Sequence, residues 1–351
     1  MRSGNLFNAP RFTLRLTLLA SVLSLISAPA LASKDGHDDD EHEKNAFCTR
    51  TARTLQTACG FDVKDDFWLS RANCINVSDG EARRECHKEA KTARKEAREE
   101  CHEQFEARLE LCEAVGESRY DPDFSPERFV DPRQIGITVA ENPFFPLIEG
   151  NQWVYKSTFT DEDGTKVTET ITVVVTDKTK LIEGVTCRVV NDLVLVDDGD
   201  GPVPLEDTND WYAQDVDGNV WYCGEEVRDF ETFDGDEPME PELVSIDGSF
   251  KVGRDYARPG IIMLMAPQVG DVYRQEAAFG DAEDFAEVTN LNASESVPAA
   301  SCNGDCLVTR EGNLLDPGVF ADKYYAPGIG TILEVEDGIR VELIEFTNDN
   351  L

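Results

Sequence analysis

The residues of this sequence that could ligate, crosslink or attack are its ten cysteines, its four histidines and a large excess of acids. Six cysteines stand at positions 48, 59, 74, 86, 101 and 112, with separations of 11, 15, 12, 15 and 11. That series is a palindrome. Pairing the cysteines in nested order gives Cys48–Cys112, Cys59–Cys101 and Cys74–Cys86, and each pair of positions sums to 160. A constant sum is the requirement of two antiparallel helices, because each rise of about 1.5 Å along one must match a step down the other. Steps of 11 and 15 are close to whole helical turns, so the sulfurs stay on one face. Six cysteines allow about fifteen pairings, and only this one has the symmetry.

The rival chemistry for these thiols is metal binding, suggested by Cys86-His87 and Cys101-His102. Adjacent residues on a helix point about 100° apart, so each His leaves the cysteine seam, and no metal site is assigned. His37 and His42 lie in an acidic stretch that could hold metal only weakly. The remaining cysteines read as crosslinks. Cys302 and Cys306 flank Asn303-Gly304 in "SCNGDC" and pair locally across a turn. Cys187, on the face of Val185 and Val189, and Cys223, on the face of Trp221, are core-directed and pair with each other, unless the two sets exchange partners.

All histidines lie at 37, 42, 87 and 102, so the region after residue 140 has none. This excludes a Ser-His-Asp or Cys-His nucleophile system there, and His-ligated zinc with it. No glycine-rich phosphate loop or GxSxG motif occurs, and no cofactor is implied. Carboxylate chemistry remains, such as the acid pair of a glycoside hydrolase. The densest group is Glu276, Asp281, Glu283, Asp284 and Glu287; the plain alternative for it is a solvated loop or edge strand.

The stretch "DWYAQDVDGNVWYCGE" (210–225) invites a calcium reading. With Gly218 at position 6 of an EF-hand loop, position 1 is Ala213, and the match fails. "DEDGT" (161–165) fails likewise. Both fit a three-residue hairpin loop, a type I turn followed by glycine in the left-handed region, and Asp337-Gly338 fits a two-residue turn. In the hairpin so defined, Trp211, Ala213, Trp221 and Cys223 share one face, expected to be the core. Asp210, Tyr212, Gln214 and Tyr222 share the other. That face is either a ligand platform or a surface covered by another segment. Tyr324 and Tyr325 are the next ligand-binding candidates.

The elements that must position these residues fall into five segments. Residues 1–32 read as a signal peptide, with Arg2, Arg11 and Arg15 before an apolar run from Leu16 to Ile26 and an Ala30-Leu31-Ala32 cleavage signal. The run is shorter than the roughly 20 apolar residues of a membrane span. Residues 33–45 read as an acidic, disordered leader, and 46–116 as a helical hairpin folding back at Ser78-Asp79-Gly80. Its expected seam takes Cys48, Ala52, Leu55, Cys59, Val63, Phe67 and Cys74 from one helix. The other helix offers Ala82, Cys86, Ala90, Ala93, Ala97, Cys101, Phe105, Leu109 and Cys112. Residues 117–139 read as a linker or wrapping segment, and 140–351 as an antiparallel β domain with clear strands at 151–160, 167–176, 184–196, 209–216, 219–227, 331–336 and 339–346.

Charge divides along the same boundary. Residues 44–116 hold 13 basic and 14 acidic residues, whereas 140–351 hold 13 basic and 45 acidic. Such a surface repels nucleic acid and anionic membranes, and neither is expected as a partner.

Five stretches, "GNQWVYKS" (150–157), "GVTCRVV" (184–190), "EDTNDWYAQDVDGNVWYCGE" (206–225), "ARPGIIM" (257–263) and "KYYAPGIG" (323–330), give the chain a recognisable pattern. With its cysteine helices, the chain resembles a family of secreted bacterial proteins of uncharacterised function. The resemblance runs from the helices to the C-terminus and carries no catalytic residues with it. The expected fold is α+β: a disulfide-laddered helical hairpin, then a large antiparallel β domain, curved or barrel-like. The expected function is non-catalytic and exported, periplasmic or extracellular: binding an apolar, aromatic or glycan ligand or an envelope protein. The alternatives are a carboxylate-dependent glycan hydrolase and an extracytoplasmic metal-handling protein.

Overall fold

The computed structural model describes residues 46–161, 164–233 and 235–348. The expected signal peptide and acidic leader, with His37 and His42, lie outside them.

Residues rich in Ala, Glu, Lys and Arg, all strong helix formers, build two helices, α1 (Phe47–Ile75) and α2 (Gly80–Val115). Asp79 caps α2 by accepting hydrogen bonds from the backbone N–H groups of Glu81 and Ala82 at 3.0 and 2.8 Å. Cys48–Cys112, Cys59–Cys101 and Cys74–Cys86 crosslink the pair, with Cα separations of 5.6, 5.8 and 5.6 Å. The ladder is as the spacing predicts. The seam is not wholly so: Ala82 and Ala93 are exposed, while Gln104, Arg108 and Leu111 are buried. Alanine is small enough to suit either face, and the polar pair is buried because α2 also meets the sheet. No helix among the described residues is long and apolar enough to cross a membrane.

Fifteen strands follow among the described residues. They are β1 (Gln152–Thr160), β2 (Lys166–Ile182), β3 (Val185–Asp197), β4 (Val203–Gln214), β5 (Val220–Glu226), β6 (Asp229–Glu231), β7 (Glu242–Ser245) and β8 (Arg258–Met263). Then come β9 (Val272–Arg274), β10 (Glu276–Ala277), β11 (Asp284–Val297), β12 (Ala300–Asn313), β13 (Phe320–Ala326), β14 (Gly330–Glu336) and β15 (Ile339–Thr347). Their order in the sheet is β10-β8-β5-β4-β3-β2-β1-β15-β14-β13-β12-β11-β9, with β6 and β7 paired off its side. Every pairing is antiparallel. β9 pairs with β11 at one end of this order and β10 with β8 at the other. Since β9 and β10 are consecutive in the chain, the sheet curls into a nearly closed barrel.

The turns follow the sequence chemistry. Gly218 (φ 92°) and Gly164 (φ 84°) take the left-handed position, their N–H groups donating to the carbonyls of Asp215 and Asp161 at 3.1 Å. Asp337-Gly338 joins β14 to β15 as a two-residue turn. The β11–β13 region departs from expectation. "SCNGDC" lies inside β12, at a register shift where Ala293 faces Cys306 and Ser294 faces Asn303. The hairpin turn is at Pro298-Ala299, and Cys302–Cys306 spans a bulge rather than a turn. Strand β2 runs on to Ile182, past its expected end, through a register shift after Val175.

Two apolar clusters result. The larger fills the barrel and includes Trp153, Val175, Val190, Tyr212, Tyr222 and Tyr325. The smaller lies outside the wall, where Trp211, Ala213, Val189 and the Cys187–Cys223 disulfide are covered by Phe124 and Phe129 of the wrapping segment. The Trp211 face was expected to be the core; it is the minor one, and the tyrosine face points to the barrel interior. Arg188, 1% exposed, clamps the wrapping segment by donating to the carbonyls of Pro132 and Thr176 and to Glu149 at 2.9–3.1 Å. The five disulfides leave no free cysteine, as suits an oxidising compartment.

Candidate functional site

The barrel holds a cavity of about 220 Å³. Alternation along each strand sends every second side chain into it. One wall is apolar, built from Leu147, Trp153, Tyr155, Val173, Val175 and Val190. Polar side chains are set into the same lining: Asp192 from β3 and Asp210 from β4, the cross-strand partners of Val173 and Val190, with Glu311 from β12, Lys323 from β13 and Glu334 from β14. Tyr212 and Tyr325 complete it. A second space of about 280 Å³ shares Tyr212, Ile262, Gln275, Glu311 and Lys323 with the first and continues to Glu225, Glu276 and Asp284.

One ion pair organises these polar groups. Lys323 Nζ lies 3.0 Å from Glu311 and 3.6 Å from Glu334. Thr309 and Tyr325 donate to Glu311 at 2.8 and 2.9 Å. Burial would push the Glu311 carboxyl up. The Lys323 charge and the hydrogen bonds from Lys323, Thr309 and Tyr325 outweigh burial and hold it below its usual range. Burial likewise opposes the Lys323 charge, and the Glu311 and Glu334 carboxylates overcome it, so its pKa is raised.

The other acids lack such a partner. Burial pushes Asp210 up to about 7 against the hydrogen bond that the Tyr222 hydroxyl donates to it. Burial, then the Asp210 charge, pushes Glu225 to about 9. Burial holds Asp284 at about 6. Asp192 is raised by burial and then by Asp210 and Glu206; Glu276 is raised by burial and then by Asp284 and Glu225. These acids hold protons at pH values where exposed carboxylates have lost them. Asp192 Oδ1 is shielded from solvent and has no hydrogen-bond partner among the described residues.

The sequence candidates separate in the fold. Asp210, Tyr212 and Tyr325 line the cavity. Tyr222 stacks on Tyr212, with ring centres 4.7 Å apart, behind it. Gln214 is outside: its carboxamide accepts from the Asn142 N–H at 3.1 Å and donates to the Ala140 carbonyl at 2.8 Å, pinning the chain that enters β1. Tyr324 packs at the edge of the core and does not line the cavity.

The acidic segment also divides. Glu276, Asp281 and Asp284 line the second space. Glu283 is fully buried but faces α2, and Asp281 and Glu287 are solvent-exposed. The solvated alternative therefore fails for most of this segment. Asp215 is a turn former, accepting from the N–H groups of Asp217 and Asn219 and from Trp221 Nε1, each at 2.9 Å. Among the described residues no three His, Cys, Asp or Glu side chains converge as a metal site.

Asp192, Glu311, Lys323 and Glu334 were not singled out from the sequence. A signal for Asp192 exists: it occupies an apolar parity, between Val190 and Val194. Lys323, two residues before Tyr325, carries a similar one. Comparison of this chain with known protein families, curated proteins and solved structures finds no match.

Proposed function

We propose that this protein is an exported, non-catalytic binding protein of the cell envelope or extracellular space, which holds a small ligand inside its barrel. The observation that carries the reading is the cavity itself. It has an apolar, aromatic lining with a few polar groups set into it, the usual make-up of a ligand site. At about 220 Å³ it suits a small ligand, since sites for drug-sized molecules run to about 300–1,000 Å³. Five disulfides and the apolar N-terminal run support export. Mass spectrometry of ligand released from natively purified protein tests the reading. Val173→Phe, which fills the cavity, should abolish the released species while leaving the thermal melt within a few degrees. Ligand recovered equally from the filled variant overturns it.

A second reading is carboxylate-dependent glycan hydrolysis. It is favoured by one chamber holding an ionised Glu311 and an Asp210 that keeps its proton to about pH 7, the divergence an acid–base pair needs. Polysaccharide hydrolysis lost in Asp210→Asn would support it over simple binding.

A further inference from the structure

Resting on the binding reading, we infer that the ligand is an organic cation: an ammonium carried on a small aromatic or aliphatic body. The ammonium sits beside Asp192 and Asp210 in the cavity, and the body lies against Trp153 and Val173.

Three features of the cavity carry this. First, the cavity is electrostatically one-sided. Among the described residues Lys323 is the single basic side chain lining it, and it is already held by Glu311 at 3.0 Å and Glu334 at 3.6 Å. Asp192 and Asp210 face the same space without an ion-pair contact among the described residues, and the Lys323 charge draws on both without offsetting their burial. Second, Asp192 Oδ1 is a shielded acceptor without a donor. Burial favours the protonated form of Asp192; a buried oxygen without a partner is costly, and an ammonium beside it supplies a donor and favours the carboxylate. Third, the wall beside these acids is aromatic. Tyr212 presents a ring stacked on Tyr222 at 4.7 Å, and Trp153 and Tyr155 line the same cavity. Aromatic faces with a carboxylate are the chemistry that recognises alkylammonium groups.

A metal cation fits less well, because no three acidic or imidazole side chains converge among the described residues. An anionic ligand would meet Lys323 only by displacing Glu311, and would then face the remaining acids. A neutral ligand would leave Asp192 Oδ1 without a charged donor.

The test uses the full mature chain and matched probes. Phenethylamine, protonated at neutral pH, represents the cation. Phenylethanol is the neutral counterpart and phenylpropanoate the anionic one. Binding is read by titration calorimetry and by quenching of tryptophan fluorescence, since Trp153 lines the cavity. The expected result is amine affinity at least tenfold above that of the alcohol, with no carboxylate binding. Asp192→Asn and Asp210→Asn, tested separately, should each cut the amine affinity about tenfold and leave the alcohol unchanged. Should one variant fail to fold, the other variant and the wild-type selectivity decide.

Alcohol or carboxylate binding as tightly as the amine overturns the cation inference and leaves the cavity reading standing. Amine binding unaffected by both substitutions also overturns it. If none of the probes binds, the cation inference falls, and recovery of native ligand from the wild type but not from Val173→Phe separately decides whether the cavity reading falls with it.

Discussion

The guanidinium of Arg108, on the second helix of the hairpin, donates two hydrogen bonds to the carboxylate of Glu283, on the loop entering β11, at 2.8 and 2.7 Å. Both side chains are buried, at 5% and 0% exposure. Together with Gln104, which donates to the Leu315 carbonyl at 2.9 Å, they dock the hairpin on the sheet. Removing one partner of a buried pair leaves the other charge uncompensated, at about 3–5 kcal/mol. Arg108→Met should therefore lose that much in urea unfolding. The double variant Arg108→Met/Glu283→Gln should recover most of it, because the orphaned charge is gone. Equal losses in single and double variants would show that packing, not charge, holds this contact.

Crosslinking gives the second prediction. Non-reducing peptide mapping should recover Cys48–Cys112, Cys59–Cys101, Cys74–Cys86, Cys187–Cys223 and Cys302–Cys306 as the major species. Replacing Cys59 and Cys101 by Ser should lower stability by about 2–4 kcal/mol. A different majority pairing among the six helical cysteines would break the antiparallel hairpin.

The third concerns the β4–β5 hairpin. From alternation alone, its tyrosine face looks replaceable and its Trp211 face essential. In the fold Tyr212, Tyr222 and Trp211 are all buried. Tyr212→Ala and Trp211→Ala should both cost about 3–5 kcal/mol. Tyr222→Phe removes only the hydroxyl that donates to Asp210 and should cost about 1–3 kcal/mol. Thermal melts of the three variants decide it: a Tyr212→Ala protein as stable as wild type would place that ring at the surface.

The fourth is pH dependence. Burial raises Asp210 to about 7, Asp284 to about 6 and Glu225 to about 9, from ordinary values of 3.8 for Asp and 4.5 for Glu. Above pH about 4 the folded chain keeps protons that the unfolded chain releases, so stability falls as pH rises. The contribution of these groups is complete below their unfolded values and is lost as pH passes 6, 7 and 9 in turn. Glu311, held low, runs the other way: its contribution is present above its unfolded value and is lost in acid. Melting temperature should drop from pH 5 to pH 9, and Asp210→Asn should flatten the drop around pH 7. A melting temperature that climbs over that interval contradicts the burial of these acids.

How much was legible depended on how local the constraint was. Cys48–Cys112 and its two companions could be read because an antiparallel helix pair imposes a constant-sum rule on positions along the chain. The loops at Gly164 and Gly218 could be read because a left-handed φ selects glycine at one place in a hairpin. Strand alternation correctly put Tyr212 and Tyr222 on one face and Trp211 and Cys223 on the other. "SCNGDC" misled because Asn-Gly suits a bulge as well as a turn, and only pairing with β11 chooses between them.

The sequence by itself thus determined the crosslinked hairpin, the antiparallel β architecture and the two-face sorting of β4 and β5. Each follows from spacing, period or turn chemistry within a short length of chain. Tertiary structure alone decided which face is interior, since a period of two separates the faces without ranking them. It also decided which acids meet. Asp192 and Lys323 are 131 residues apart in the chain and line one cavity, because closure of the sheet by residues 272–277 brings β3 and β13 around the same space.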